Sequence, residues 1–176
     1  MPDIIDPVAA LLAKDAIREV LHSYCRGLDR MDRVLADRVW HPDGTADYGP
    51  GYRGSGAGFL DFVWDYHAGF RAHSHRVSNE FIQLDLPSAT AASETYVAVW
   101  LQTDPQDGLV TDQFYTGRYV DQWSCRNGLW AIDHRAYISD MEYTAHQTVS
   151  PTGSELAPWG TRDSSDHSYS VLMHLP

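Results

Sequence analysis

Apolar residues recur along the first part of the chain at intervals of three and four. From Ala10 and Ala13 the series continues through Ile17, Val20, Leu21, Tyr24, Cys25 and Leu28, the spacing that lays one stripe of a helix against a core. Asp6-Pro7 supplies its start, because an aspartate accepts from free backbone N–H groups and a proline at the first helical position loses nothing. Asp29 falls at the edge of the stripe. A short second helix is predicted from about Asp32 to Val39, broken by the turn residues His41-Pro42-Asp43-Gly44, with a strand around Thr45 to Tyr48. Gly49 to Gly58 reads as a glycine-rich loop, and Phe59, Leu60, Phe62, Val63, Tyr66 and Phe70 predict a third helix.

Beyond residue 73 the pattern becomes extended. Four segments, about 73–87, 91–104, 110–125 and 129–143, are rich in β-branched and aromatic residues and are separated at Pro87, Pro105-Gln106-Asp107-Gly108 and Asn127-Gly128. Asn127-Gly128 predicts a tight hairpin, since both residues tolerate positive φ. In the first segment the apolar parity shifts between Val77 and Phe81 on one side and Ile82, Leu84 and Leu86 on the other, as one extra residue in a bulge would cause. Three helices followed by a long curled antiparallel meander make an α+β fold in which the sheet wraps the helices into a cone. The expected domain is 1–143, with 144–176 a tail of little periodicity that packs over a neighbouring subunit or the mouth of a pocket.

At 176 residues, 43% hydrophobic and 12% aromatic, the chain suits one domain with a substantial core. A formal net charge of −11 disfavours nucleic acid, whose phosphates need Lys and Arg. Cys25 and Cys125 have no CxxC spacing and read as buried thiols of a reducing compartment. The N-terminus lacks the basic start and apolar run of a signal peptide, and no run of eighteen apolar residues occurs, so the expected location is cytoplasmic, with no membrane partner. Dinucleotide, phosphate-loop and GxSxG motifs are absent.

The remaining polar residues carry the chemistry. His73 and His75, two apart on a strand, share a face. A zinc pair is one reading, but no third ligand stands at a recognisable spacing, so no metal is expected. The other is acid–base work, in which a carboxylate fixes the imidazole tautomer and stabilises its cation. Asp29 stands at a helix C-terminus, where an acid opposes the dipole. Tyr24 and Tyr48 are either core aromatics or donors to a substrate oxygen. Arg135 is either a sheet-surface charge or a cation aimed at developing negative charge, Arg118 is the same with a weaker claim, and Asn79 is a bulge residue or a substrate contact.

Taken together, Ala16-Ile17-Arg18-Glu19 and Tyr24 to Asp29, Asp47-Tyr48, His75-Arg76-Val77-Ser78-Asn79, Ser93-Glu94-Thr95-Tyr96, and Asn127-Gly128-Leu129-Trp130 leading to Arg135 resemble the SnoaL-like group of the nuclear transport factor 2-like superfamily over residues 8 to 143. The group includes scytalone dehydratase, hexachlorocyclohexane dehydrochlorinase and bile acid 7α-dehydratase. The resemblance implies that Asp29 orients His75 as a proton-abstracting base without a cofactor. It further implies that Tyr24 and Tyr48 polarise a small hydroxylated aromatic or alicyclic substrate and that Arg135 lines the pocket. Where scytalone dehydratase has a second strand histidine this chain offers Trp100 to Gln102, so Trp100 is a candidate substrate contact and no leaving-group acid carries over. The same cone hosts isomerases, cyclases and the non-catalytic small subunits of ring-hydroxylating dioxygenases. Tyr115, Tyr119 and Trp123 are expected on an outer sheet face covered by other copies, so a homo-oligomer, with a trimer favoured by analogy, is the expected assembly.

Overall fold

The computed structural model describes residues 6–148 and 157–172. Among the described residues the helices are α1 (Pro7–Asp29), α2 (Arg33–Ala36), α3 (Gly56–Ala68) and α4 (His167–Leu172), and the strands are β1 (Trp40–Asp47), β2 (Arg53–Ser55), β3 (Ala72–Asp85), β4 (Thr90–Gln102), β5 (Leu109–Arg126) and β6 (Leu129–Thr148). Asp6 caps α1 through its Oδ1, which accepts from Val8 N at 3.0 Å. The apolar stripe of α1 is buried at Ala13, Ile17, Leu21, Tyr24, Cys25 and Leu28. Gly27 lets α2 approach, because a Cβ there would stand 3.0 Å from Ala36. Ser55 caps α3 by accepting from Gly58 N at 3.1 Å.

The sheet runs β2-β1-β6-β5-β4-β3. As expected, β3 to β6 form an antiparallel meander, and the β5–β6 hairpin turns at Asn127 (φ 55°) and Gly128 (φ 82°). β3 has a bulge as predicted, but between Ser78 and Phe81 and not between Phe81 and Ile82, so Phe81 is exposed; two further register shifts break the β5–β6 ladder. Such bulges bend and twist a strand pair, which curls the sheet around α1 and α3. One junction departs from the all-antiparallel expectation: β1 pairs with β6 in parallel, with Ala46 opposite Arg135. The strand also begins at Trp40, five residues before the expected start, and the expected glycine-rich loop contains β2.

Trp123 and Tyr119, expected outside, are 1% and 3% exposed in the core. Their strand parity puts Tyr115, Tyr119 and Trp123 on the concave face. The convex face instead carries Tyr96, Val120, Ile138, Met141 and Tyr143, all exposed.

The expected domain end at 143 falls inside β6, which stays paired with β5 as far as Thr148. Parts of the expected tail, 149–156 and 173–176, lie outside the described residues, as do residues 1–5. The described remainder packs on its own domain: Arg30 donates to Thr161 O at 2.9 Å, Tyr169 donates to Asp32 Oδ2 at 2.8 Å, and Arg162 donates to His67 O at 2.7 Å. Among the described residues no helix is long and apolar enough to cross a membrane.

Candidate active site

The end of α1 and the start of β3 meet at one carboxylate. Asp29 accepts from the backbone N of His75 at 3.1 and 2.9 Å and lies 2.6 Å from its ring Nδ1. An ionised carboxylate only accepts, so Nδ1 carries the proton and Nε2 keeps its lone pair. The His75 side chain is 4% exposed and that of Asp29 16%. The misplaced helix-end acid is therefore explained by its partner: two donors of His75 on β3, the backbone N–H and the ring Nδ1–H, outweigh the unfavourable dipole.

His75 lines a cavity of about 180 Å³ with Tyr24, Leu28, Tyr48, Phe59, Phe62, Val63, Tyr66, His67, Val99, Leu101, Tyr115, Tyr119 and Tyr137. An apolar cavity of ~150 Å³ accepts benzene, so this one suits a single six-membered ring. Asp29 stands behind His75, outside the lining. Tyr24 and Tyr48 share a hydrogen bond at 3.2 Å between their hydroxyls. Tyr48 stacks on Phe59 with centroids 3.9 Å apart. Asp47 holds the turn after Tyr48 by accepting from Gly49 N at 2.8 Å and Arg53 Nε at 3.0 Å. Burial pushes both Tyr24 and Tyr48 well above the usual phenol range, so both remain donors.

The other site candidates lie elsewhere. Arg135 is 0% exposed, makes a double hydrogen bond to Asp121 at 2.8 Å on each arm, and stacks over Tyr119 at 3.9 Å and Tyr24 at 4.6 Å. It backs the tyrosines without lining the cavity, because inward parity at its strand position leads into packed rings. Burial alone would disfavour its charge, but Asp121 holds the guanidinium firmly protonated. Arg118 is on the convex face, paired with Glu94 at 2.9 Å and Asp140 at 3.3 Å. Asn79 is the exposed bulge residue with φ 52°. Trp100 also faces outward, against Phe114 at 4.5 Å and beneath Arg76 at 4.8 Å. These three, expected as substrate contacts, are corrected to surface positions; alternation along a strand gives two faces without saying which is inside.

His73, the other half of the histidine pair, has Nδ1 3.2 Å from Leu28 O and Nε2 3.1 Å from His67 O, so both ring nitrogens face backbone carbonyls, and the single N–H of the neutral ring donates to one of them. Among the described residues no group of three His, Cys, Asp or Glu side chains could hold a metal ion. Sequence reading missed His67, 3% exposed and part of the cavity wall. Its signal was present: it stands four residues after Val63 and eight after Phe59, on the core stripe of α3.

Burial, then the neighbouring His75 and His73, push His67 down to about 2, and burial, then Arg162, push His73 down to about 4. The unfolded chain binds these protons near pH 6.5 while the folded chain stays neutral, so stability falls as pH drops below about 6.5. Each group contributes a slope of roughly 1.4 kcal/mol per pH unit until its folded value is reached. Urea midpoints measured between about pH 7 and pH 5 should fall accordingly, and His67→Phe should flatten that dependence.

The described geometry has relatives. Residues 9–136 match the family model of the SnoaL-like domain. A candidate scytalone dehydratase from Novosphingobium aromaticivorans DSM 12444 superposes with a TM-score of 0.67 at 20% identity, covering 82% of this chain and 95% of that one. A hexachlorocyclohexane dehydrochlorinase of type 2 superposes with a TM-score of 0.72 at 13% identity, covering 84% and 99%. The beta subunit of a candidate aromatic-ring-hydroxylating dioxygenase from the same Novosphingobium strain superposes with a TM-score of 0.59 at 16% identity, covering 76% and 92%. None of the curated proteins matches in sequence. With the family model spanning most of the chain and the cone shared with these structures, the chain belongs to the SnoaL-like family, within the nuclear transport factor 2-like fold.

Proposed function

We propose that the protein is a cofactor-independent lyase acting on a small hydroxylated aromatic or alicyclic compound. The observation that carries this reading is the 2.6 Å contact of Asp29 with His75 Nδ1, which leaves Nε2 as a lone-pair nitrogen on a ring that lines an aromatic-walled cavity. Nε2 takes a proton from a carbon beside a carbonyl or developing oxyanion. The electron pair moves toward that oxygen, which the protonated Tyr24–Tyr48 pair stabilises. When the pair returns, the bond to a leaving group on the adjacent carbon breaks: halide departs as the anion, and a hydroxyl departs as water with the proton returned by the imidazolium. For loss of formaldehyde, His75 instead takes the proton of a hydroxymethyl O–H, the C=O forms as the C–C bond breaks, and the electron pair stays on the substrate carbon. Asp29 stabilises the imidazolium between the two steps. Arg135 is a positioning residue that fixes Tyr24 from behind.

Product analysis tests the reading: incubation with a panel of cyclic hydroxyketones, followed by NMR, should reveal an unsaturated product with wild type and none with His75→Ala. A shifted double bond with no group lost would instead make the protein an isomerase using the same base. Likeness to a dioxygenase beta subunit supports a non-catalytic alternative, in which no panel member would react and a large partner chain should co-purify.

We further propose self-association through the convex face, where Trp100, Phe114 and Tyr143 form a contiguous ring cluster with centroids 4.5 and 4.9 Å apart. Exposed apolar surface of this kind is usually covered. Light scattering at micromolar concentration should give a multiple of the 19.8 kDa chain mass, with a trimer favoured; a monomer would refute it.

A further inference from the structure

The cavity contains a second imidazole that the dyad does not use. His67 lines the wall beside His75, with ring centroids 5.5 Å apart. Its position is fixed through its carbonyl, which accepts from Phe70 N at 3.1 Å and Arg162 Nη2 at 2.7 Å and lies 3.1 Å from His73 Nε2. One ring nitrogen, Nδ1, is buried and has no hydrogen-bond partner. A buried N–H without an acceptor is rarer and more costly than an idle lone pair. The ring proton therefore belongs on Nε2, at the opposite edge of the imidazole.

Resting on the lyase reading above, we propose that His67 is a neutral hydrogen-bond donor whose Nε2–H binds an oxygen of the substrate, making the cavity selective for a ring that carries a carbonyl or hydroxyl group near the carbon His75 deprotonates. The donor keeps its proton throughout; it polarises the oxygen as a fixed dipole, as neutral imidazoles do in other enolising sites. Burial holds the imidazole uncharged, with its proton affinity pushed down to about 2, so the donor is unchanged across the working pH range. Chlorine is a poor acceptor beside oxygen, so this arrangement favours departure or enolisation of oxygen functions over loss of chloride.

Two measurements on the intact protein test the proposal without turnover. NMR of protein labelled with 15N-histidine reads the tautomer: His67 should carry its proton on Nε2, with Nδ1 bare, from about pH 5 to about pH 8. Ligand titration then compares cyclohexanone with methylenecyclohexane, which has a CH₂ group in place of the oxygen. Wild type should bind the ketone roughly tenfold tighter, with a shift of the His67 Nε2 resonance, and His67→Phe should lose most of that preference. His67→Gln, whose amide restores a donor, should recover part of it. A proton on Nδ1, a wild type indifferent to the oxygen, or a preference unchanged in His67→Phe would each overturn the proposal, the tautomer remaining decisive if the variants fail to fold. Failure of the proton-abstraction reading would appear separately, as activity that survives His75→Ala.

Discussion

Replacement of His75 by alanine is expected to lower turnover by roughly a hundredfold or more while leaving the fold intact, the scale on which a positioned general base contributes. Asp29→Asn should cost a comparable factor for a different reason. The carboxylate now accepts from the His75 backbone N and from Nδ1 together. An asparagine can keep the backbone contact through its oxygen, but its NH₂ then faces Nδ1 as a donor. The imidazole is driven to the tautomer with its proton on Nε2, and the cavity loses its base. Because both substitutions disable one unit, the double variant should be little worse than either single one. Additive losses in that cycle would assign the two residues independent roles.

The largest expected stability effect lies behind the site. Asp121 and Arg135 are 1% and 0% exposed, and they face each other across the β5–β6 ladder. Arg135→Met would leave the Asp121 carboxylate buried without its cation, and burial alone already raises its proton affinity. Removing one partner of a buried pair costs about 3–5 kcal/mol, whereas replacing both by apolar residues of similar volume is often close to neutral. Urea denaturation should therefore show a severe loss for Arg135→Met and substantial recovery for Asp121→Leu combined with Arg135→Met. The guanidinium Nη1 has no hydrogen-bond partner and the ring stack includes Tyr24, so some loss of packing should persist even in the double variant. Equal destabilisation of single and double variants would mean that the ring stacking, and not the ion pair, dominates.

These residues also mark where sequence was informative. The α1 stripe, the Asn127-Gly128 hairpin and the β3 bulge depend on local periodicity and turn chemistry; the first two are found where the pattern puts them, and the bulge falls just before the expected parity change at Phe81 and Ile82. The joining of Asp29 to His75 depends on the path of the whole chain, and only the family resemblance linked them. Strand direction relative to a non-sequential neighbour leaves no periodic trace, which is why the parallel β1–β6 junction was not foreseen. Nor does alternation reveal which face is concave. Tyr119 and Trp123 were placed outside for that reason, and Trp100 inside. Arg135 illustrates the same gap: a strand arginine looks alike whether its charge meets a substrate or, as here, an aspartate on the neighbouring strand. His67 leaves no apolar signal, because an imidazole on the buried stripe of α3 breaks the hydrophobic pattern at the position where it lines the cavity.

In the proposed reaction His75, held by Asp29, removes a carbon-bound proton inside the cavity. Deuterium exchange tests it without knowledge of the natural substrate or leaving group, since enolisation alone replaces the hydrogens beside a carbonyl. Cyclohexanone incubated in D₂O near neutral pH and followed by proton NMR should lose its signals beside the carbonyl faster with wild-type protein than without it. With His75→Ala the rate should fall to the uncatalysed background, and with Asp29→Asn most of the way there. Exchange by His75→Ala at the wild-type rate, or no acceleration by a wild-type protein that binds the ketone, would contradict the account.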